Sequence, residues 1–246
     1  MKPWETVDRT TAPDGAELVL ARRDDEWVVR VAGRTLMSSR AHGSEEALAA
    51  IALRGLEQRR AILLGGLGMG FTLRATLDRL PTDARVVVVE LVAGLVAWNR
   101  GPLSKLAGRP LDDPRVRLQQ GDVGGRIAEA KGAYDAILLD VDNGPSAHAL
   151  LAVERPVPGV GACAEALRAG GVLAVWSASP DERYRERLER AGLEASEEIV
   201  QARAGAGGVR HVVIVGRKRA AGRPRPTPRP PAAAGSSRGA GRSGRG

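Results

Sequence analysis

The rhythm of apolar residues along the chain changes near Ala61. Before that point short runs alternate apolar and polar residues, the signature of half-buried strands. Glu17–Arg22 and Trp27–Val31 are two such runs, separated by the charged turn Arg23-Asp24-Asp25-Glu26, and Arg34–Met37 adds a third. Ser44 then reads as an N-cap, with Glu45 and Glu46 in the first turn, where carboxylates suit the helix dipole. Ala47, Leu48, Ile51 and Leu56 carry that helix to about Gln58.

After Ala61 the strands become apolar throughout and alternate with helical segments. Ala61–Leu64, Arg85–Val89, Arg115–Gln119, Ala136–Leu139 and Val172–Trp176 predict five buried strands. Helices are expected over residues 71–80, over Leu91–Asn99, over Ala162–Ala169 with Gly170-Gly171 as its C-cap, and over Asp181–Ala191. Leu193–Val200 and Val209–Val215, joined through the glycine-rich turn Gly205–Gly208, predict an antiparallel hairpin at the sheet edge. Strands apolar on both faces, each followed by a helix, belong to a parallel sheet covered on both sides. The expected fold is therefore α/β: a doubly wound, mostly parallel seven-stranded sheet with an antiparallel C-terminal hairpin. Residues 1–42 form a small β unit before it, 43–216 the doubly wound domain, and 217–246 a tail.

The tail changes how the charge is read. The chain carries +8 overall, yet residues 217–246 hold nine basic residues and no acidic one, which leaves residues 1–216 at −1. Pro, Gly, Ala and Ser without apolar period predict disorder there. Such a segment suits weak, non-specific contact with nucleic-acid phosphates; the blander reading is coding composition, since the chain uses 33 Arg against 4 Lys. One cysteine excludes a disulfide framework and a cysteine zinc site. No apolar run approaches the ~20 residues of a membrane helix, and MKPWETVDRT offers no secretory signal, so a cytoplasmic protein without membrane contact is the default.

The local chemistry begins at Leu63-Leu64-Gly65-Gly66-Leu67-Gly68-Met69-Gly70, between the first buried strand and the next helix. Gly66, Gly68 and Gly70 allow a tight turn and a ligand's close approach to backbone at a helix start. Their spacing is not the dinucleotide G-x-G-x-x-G. Glu90 ends the second buried strand, where an acidic residue can accept both hydroxyl hydrogens of a ribose. Asp122 follows the third strand and Asp140 ends the fourth. Three carboxylates at the C-terminal ends of successive strands converge on the crevice where open α/β sheets bind ligands. His42, His148 and His211 are scattered without metal spacing; His211, inside a predicted strand, reads as structural. Cys163 reads as a core residue and Asp135 as a structural one.

These segments resemble the spermidine synthase group of aminopropyltransferases, within the class I S-adenosylmethionine-dependent methyltransferase fold. The matching pieces are residues 63–70, Val-Val-Val-Glu-Leu at 87–91, Asp-Asp-Pro-Arg-Val at 112–116, Gly-Asp at 121–122, Tyr-Asp-Ala-Ile-Leu-Leu-Asp at 134–140 and Asn-Gly-Pro at 143–145. The resemblance covers residues 61–216. It implies that Glu90 holds the ribose hydroxyls, Asp122 the adenine amino group and the Gly66–Gly70 turn the methionine-derived part of the donor. It implies that Asp140 orients an attacking amine and helps it lose a proton; Asp142 is the next candidate carboxylate, for the amine's far end. The co-substrate would be decarboxylated S-adenosylmethionine, or S-adenosylmethionine itself, with no metal; the partner would be a small-molecule amine, and a homo-oligomer is left open. Gly68 stands where family members carry Asp, Ala41-His42 where they carry Tyr-His, and Asp142-Asn143 where they carry Asp-Pro. Two other readings keep the fold: a methyltransferase using intact S-adenosylmethionine, and a non-catalytic nucleoside-binding module.

Overall fold

The computed structural model describes residues 2–140, 159–203 and 209–220. Its larger sheet has seven strands in the order β10-β11-β9-β8-β5-β6-β7. β5 (Ala61–Gly65), β6 (Arg85–Glu90), β7 (Val116–Gln120), β8 (Tyr134–Leu139) and β9 (Leu167–Ser177) run parallel, while β10 (Leu193–Gln201) and β11 (Arg210–Lys218) form the antiparallel hairpin. The seven-stranded sheet and its edge hairpin are thus as the apolar pattern implied. One face is covered by α1 (Gly43–Leu53) and α2 (Phe71–Leu77), burying Leu48, Ala52, Leu73, Val86, Val88 and Leu138. The other carries α4 (Val123–Ala128), α5 (Val160–Ala166) and α6 (Glu182–Arg190), over Leu63, Ile137, Leu139, Leu173 and Ile214. Alternate residues of one strand serve opposite cores, which is why these strands carry apolar residues on both faces.

From β5 the chain moves outward through β6 to β7, then returns to β8 on the other side of β5. That reversal opens a crevice above the C-terminal ends of β5 and β8, and Asp140 N–H donates to Gly65 O across it at 2.8 Å.

The smaller sheet is antiparallel, in the order β1 (Glu5–Thr11), β2 (Glu17–Arg23), β3 (Glu26–Val31), β4 (Arg34–Ser38). Leu18, Leu20, Val29 and Val31 bury one face against Met69, Trp98 and Leu103 of the larger unit. α3 (Ala93–Arg100) supplies the dock: Trp98 Nε1–H donates to Asp8 Oδ2 at 2.7 Å, and Gly94 gives Thr10 room that any Cβ would fill. Asp8 is held below the usual carboxylate range chiefly by that indole bond.

Several boundaries differ from the sequence pattern. β1 is mostly exposed and has no apolar alternation to announce it; pairing with β2 and the Asp8–Trp98 bond hold it. Gly170-Gly171 does not cap a helix. α5 ends at Ala166, and the glycines form an irregularity inside β9, between the Tyr134↔Leu167 and Ala136↔Val172 pairs. Ser44 is not the N-cap of α1. The helix begins a residue earlier, after His42, because Gly43 N–H donates to Ala202 O at 2.9 Å and leaves no space there for a Cβ. α1 also stops at Leu53, short of Gln58. β11 continues through Arg217 and Lys218, two residues past the expected start of the tail, and Lys218 Nζ donates to Ala164 O and Leu167 O at 2.6 and 2.7 Å. The rest of the tail from residue 221, the Gly205–Gly208 turn, Asp142, Asn143-Gly144-Pro145 and His148 lie outside the described residues.

Candidate active site

The glycine turn is built from backbone conformations that other residues rarely adopt: Gly66, Gly68 and Gly70 have φ of 88°, 52° and 88°. Two buried side chains hold it. Glu90 Oε2 accepts Leu67 N–H at 2.7 Å while its Oε1 accepts Val92 N–H at 2.8 Å. Asn99, from α3, donates through Nδ2 to Gly68 O at 2.8 Å. Burial raises the Glu90 carboxyl above its ordinary value, against the amides of Leu67, Val92, Gly68 and Leu91, which favour its charge. Glu90 therefore ties β6 to the turn. The sequence carries no sign of the Asn99 contact, because nothing in a helical polar residue signals a partner 31 positions away.

Asp122 caps α4, accepting Gly124 N–H at 3.0 Å, and is exposed at the end of β7. Asp140 follows β8 and accepts a hydrogen bond from Thr72 Oγ1, in the first turn of α2. Burial, opposed by Thr72 and reinforced by the nearby Glu90 charge, raises Asp140 to about 6. Its main chain is fixed by the Gly65 bond and its side chain by Thr72, so the carboxylate is held on both sides.

A cavity of about 260 Å³ opens beside Asp140. The small sheet contributes Leu36, Met37 and Ser38, α1 contributes Ser44 and Glu45, and the turn contributes Leu67, Gly68 and Met69. Phe71, Trp176 and His211 complete the wall. Of the site residues proposed from sequence, Gly68 and Asp140 line this space. Gly66 and Gly70 shape the turn, Glu90 sits beneath it, and Asp122 lies apart at the head of α4. His211 is in a strand, as expected, yet it faces the cavity: its Nδ1 lies 3.0 Å from Ser44 Oγ and its ring meets Trp176 edge-on at 4.7 Å. His42 stacks on Phe71, with centroids 4.0 Å apart. Met37 packs beside Gly68, where a Cβ would meet Met37 Sδ at 3.5 Å, an ordinary contact, so the left-handed φ of 52° rather than lack of space favours glycine there.

Elsewhere, Asp135 is structural, as expected. Its Oδ2 accepts Arg60 and Ala61 N–H at 3.0 and 2.9 Å, and its Oδ1 pairs with Arg168. Cys163 is buried in the core, its thiol pushed up to about 12 by desolvation. Among the described residues no group of three or more His, Cys, Asp and Glu is arranged to hold a metal ion, and no helix is long and apolar enough to cross a membrane.

The fold, the glycine turn and the carboxylates after β6, β7 and β8 define a class I methyltransferase-type domain with a small antiparallel sheet laid over its crevice. Within that class the resemblance is to the spermidine synthase group. Among curated proteins, the polyamine aminopropyltransferase of Nitrosomonas europaea is 34% identical over 124 residues, which cover 50% of this chain and 37% of the relative. The match thus spans little more than a third of that relative's length. The spermidine synthase of Thermotoga maritima superposes with a TM-score of 0.68 at 16% identity, over 87% of this chain and 72% of the other. A spermidine synthase in complex with the transition-state analogue AdoDATO gives 0.67 at 16% identity, with the same coverage. A probable spermidine synthase from Corynebacterium glutamicum gives 0.57 at 17% identity, over 88% and 81%. At such identities the structural likeness speaks for the fold. No protein-family model matches the chain.

Proposed function

We propose that the chain is a transferase that moves an aminopropyl group from decarboxylated S-adenosylmethionine to a small amine. The observation that carries this reading is Asp140: a carboxylate held by two elements at the mouth of the crevice, facing a cavity with a second acid, Glu45, and two aromatic rings. Acids and ring faces suit a cationic amine. The reaction itself needs little covalent help. The amine nitrogen's lone pair forms the new nitrogen–carbon bond, the carbon–sulfur bond breaks, and its electron pair neutralises the sulfonium as methylthioadenosine leaves. The nitrogen's proton passes to Asp140, whose raised pKa of about 6 makes it a better acceptor near neutrality than an ordinary carboxylate. Alignment supplies the rest, worth about 7–11 kcal/mol in well-oriented reactions.

In this reading Glu90 shares its oxygens between the turn and the ribose hydroxyls, Asp122 takes the adenine amino group, and Gly66, Gly68 and Gly70 let the donor lie against backbone. Asp142 meets the far end of the amine. Gly68 favours a second reading. With glycine in place of the family's acid, and Met37 beside it, the turn offers no carboxylate to the donor's ammonium. Intact S-adenosylmethionine carries its own carboxylate beside that ammonium, and an acid in the turn would repel it, so glycine at position 68 suits the intact donor. Calorimetric titration with decarboxylated S-adenosylmethionine, S-adenosylmethionine and methylthioadenosine, followed by detection of released methylthioadenosine with an aliphatic diamine, tests the choice. Preference for the decarboxylated donor supports aminopropyl transfer, preference for the intact one supports methyl transfer, and failure of all three to bind removes the site.

A further inference from the structure

A polar chain in the cavity wall ties Glu45, the second acid of the scheme above, to two residues that scheme does not use, Ser44 and His211. It runs from β11 to the start of α1 and joins residues 167 positions apart in sequence. His211 Nδ1 lies 3.0 Å from Ser44 Oγ, and Ser44 Oγ donates to Glu45 Oε2 at 2.8 Å. A serine hydroxyl has one proton to give. With that proton committed to Glu45, Ser44 must act as acceptor toward the ring, so His211 Nδ1 carries the hydrogen. The other nitrogen, Nε2, then carries a lone pair in a neutral imidazole.

Three further observations bear on what that lone pair does. Burial holds the imidazole below its ordinary pKa, so the ring stays neutral around pH 7. Trp176 packs edge-on against the ring and limits its rotation. Nε2 has no hydrogen-bond partner among the described residues, and His211 lines the cavity. Ser44 is not an activated nucleophile, because its proton points to Glu45 rather than to the imidazole. It is 1% exposed, and its hydroxyl is engaged by Glu45 and the ring. The titratable groups around the same space, Glu45 and Asp140, are both acids.

We propose that His211 is a hydrogen-bond-accepting, substrate-orienting group of this cavity, fixed by Ser44 and Glu45 as the Nδ1–H tautomer so that Nε2 takes a hydrogen bond from an N–H of the bound amine. This rests on the amine-transfer reading. Asp140 accepts the proton lost in the reaction; His211 holds and orients the nitrogen-bearing substrate without taking a proton.

The test uses the full chain labelled with 15N-histidine and long-range 1H–15N correlation, with the His211 signals identified by their loss in His211→Phe. Near neutral pH the wild type should show protonated Nδ1 and unprotonated Nε2, and Ser44→Ala should shift the ring toward the Nε2–H form. With methylthioadenosine present, 1,4-diaminobutane should move the Nε2 resonance. By calorimetry His211→Phe should bind that diamine roughly tenfold more weakly, the worth of one hydrogen bond, with methylthioadenosine affinity changed by less than about twofold. An Nε2–H tautomer in the wild type overturns the proposal. So does a diamine that binds while Nε2 stays unmoved and His211→Phe binds it equally well; that result leaves the amine reading standing. A wild type that binds methylthioadenosine but no diamine overturns both. Should His211→Phe not fold, the wild-type and Ser44→Ala spectra decide.

Discussion

Replacing Asp140 by asparagine should separate the catalytic use of this carboxyl from its energetic effect on the fold. Burial and the Glu90 charge raise Asp140 from 3.8 to about 6. A raised carboxyl pKa means the folded state disfavours the charged form. The stability associated with protonated Asp140 is fully present below about 4 and is lost as pH rises through about 6. At ~1.4 kcal/mol per pH unit, the difference amounts to about 3 kcal/mol. An asparagine at this position would carry no such penalty and could still accept from Thr72 through its amide oxygen, although its NH₂ needs a partner. In Asp140→Asn the stability relative to wild type should therefore rise by about 1–3 kcal/mol between about pH 3.5 and pH 7.5. Chemical denaturation across that range measures it. The same substitution should lower turnover by about 10²–10⁴-fold with donor affinity little changed, the usual consequence of removing a positioned base. A stability difference that stays flat with pH would refute the burial argument. Undiminished turnover would refute the proton-acceptor role and leave methyl transfer or simple nucleoside binding.

Glu90→Ala should weaken methylthioadenosine binding by roughly 1.5–3 kcal/mol and also lower the melting temperature, because the same carboxylate holds Leu67 N–H. Unchanged affinity in a folded variant would remove Glu90 from the ligand site. Gly94→Ala should cost about 1–3 kcal/mol, since its methyl group would overlap Thr10 and lift β1 from α3; equal urea midpoints for variant and wild type would contradict that packing. Cys163, with its thiol raised to about 12, should resist iodoacetamide in the native protein at about pH 8 and react on denaturation. A chain ending at Gly216 should melt below one ending at Ala220, which keeps the Lys218 bonds to Ala164 and Leu167; equal melting temperatures would make those bonds dispensable.

Sequence alone determined the parts of this protein that depend on local rules. Buried parallel strands need apolar residues on both faces, so β5, β6 and β8 were legible within a residue or two of their ends. A strand-to-helix turn with three left-handed residues demands glycine, so Gly66, Gly68 and Gly70 marked the crevice. Carboxylates at strand ends marked Glu90 and Asp140 beside that turn, because strand direction places those ends together, whereas Asp122, at the end of the outer strand β7, lies apart as the cap of α4. What only the tertiary structure decided were pairings across the sheet order. Thr72 meets Asp140 because β5 and β8 are neighbours, although 68 residues separate the two side chains. Ser44 meets His211 because α1 packs beside the C-terminal hairpin, which turned an expected cap and an expected structural histidine into cavity residues. Met37 reaches Gly68 because the small sheet lies over the turn. Periodicity reports which face of an element is buried; it carries no information about which distant element covers that face, and the chemistry of this cavity is set by that choice.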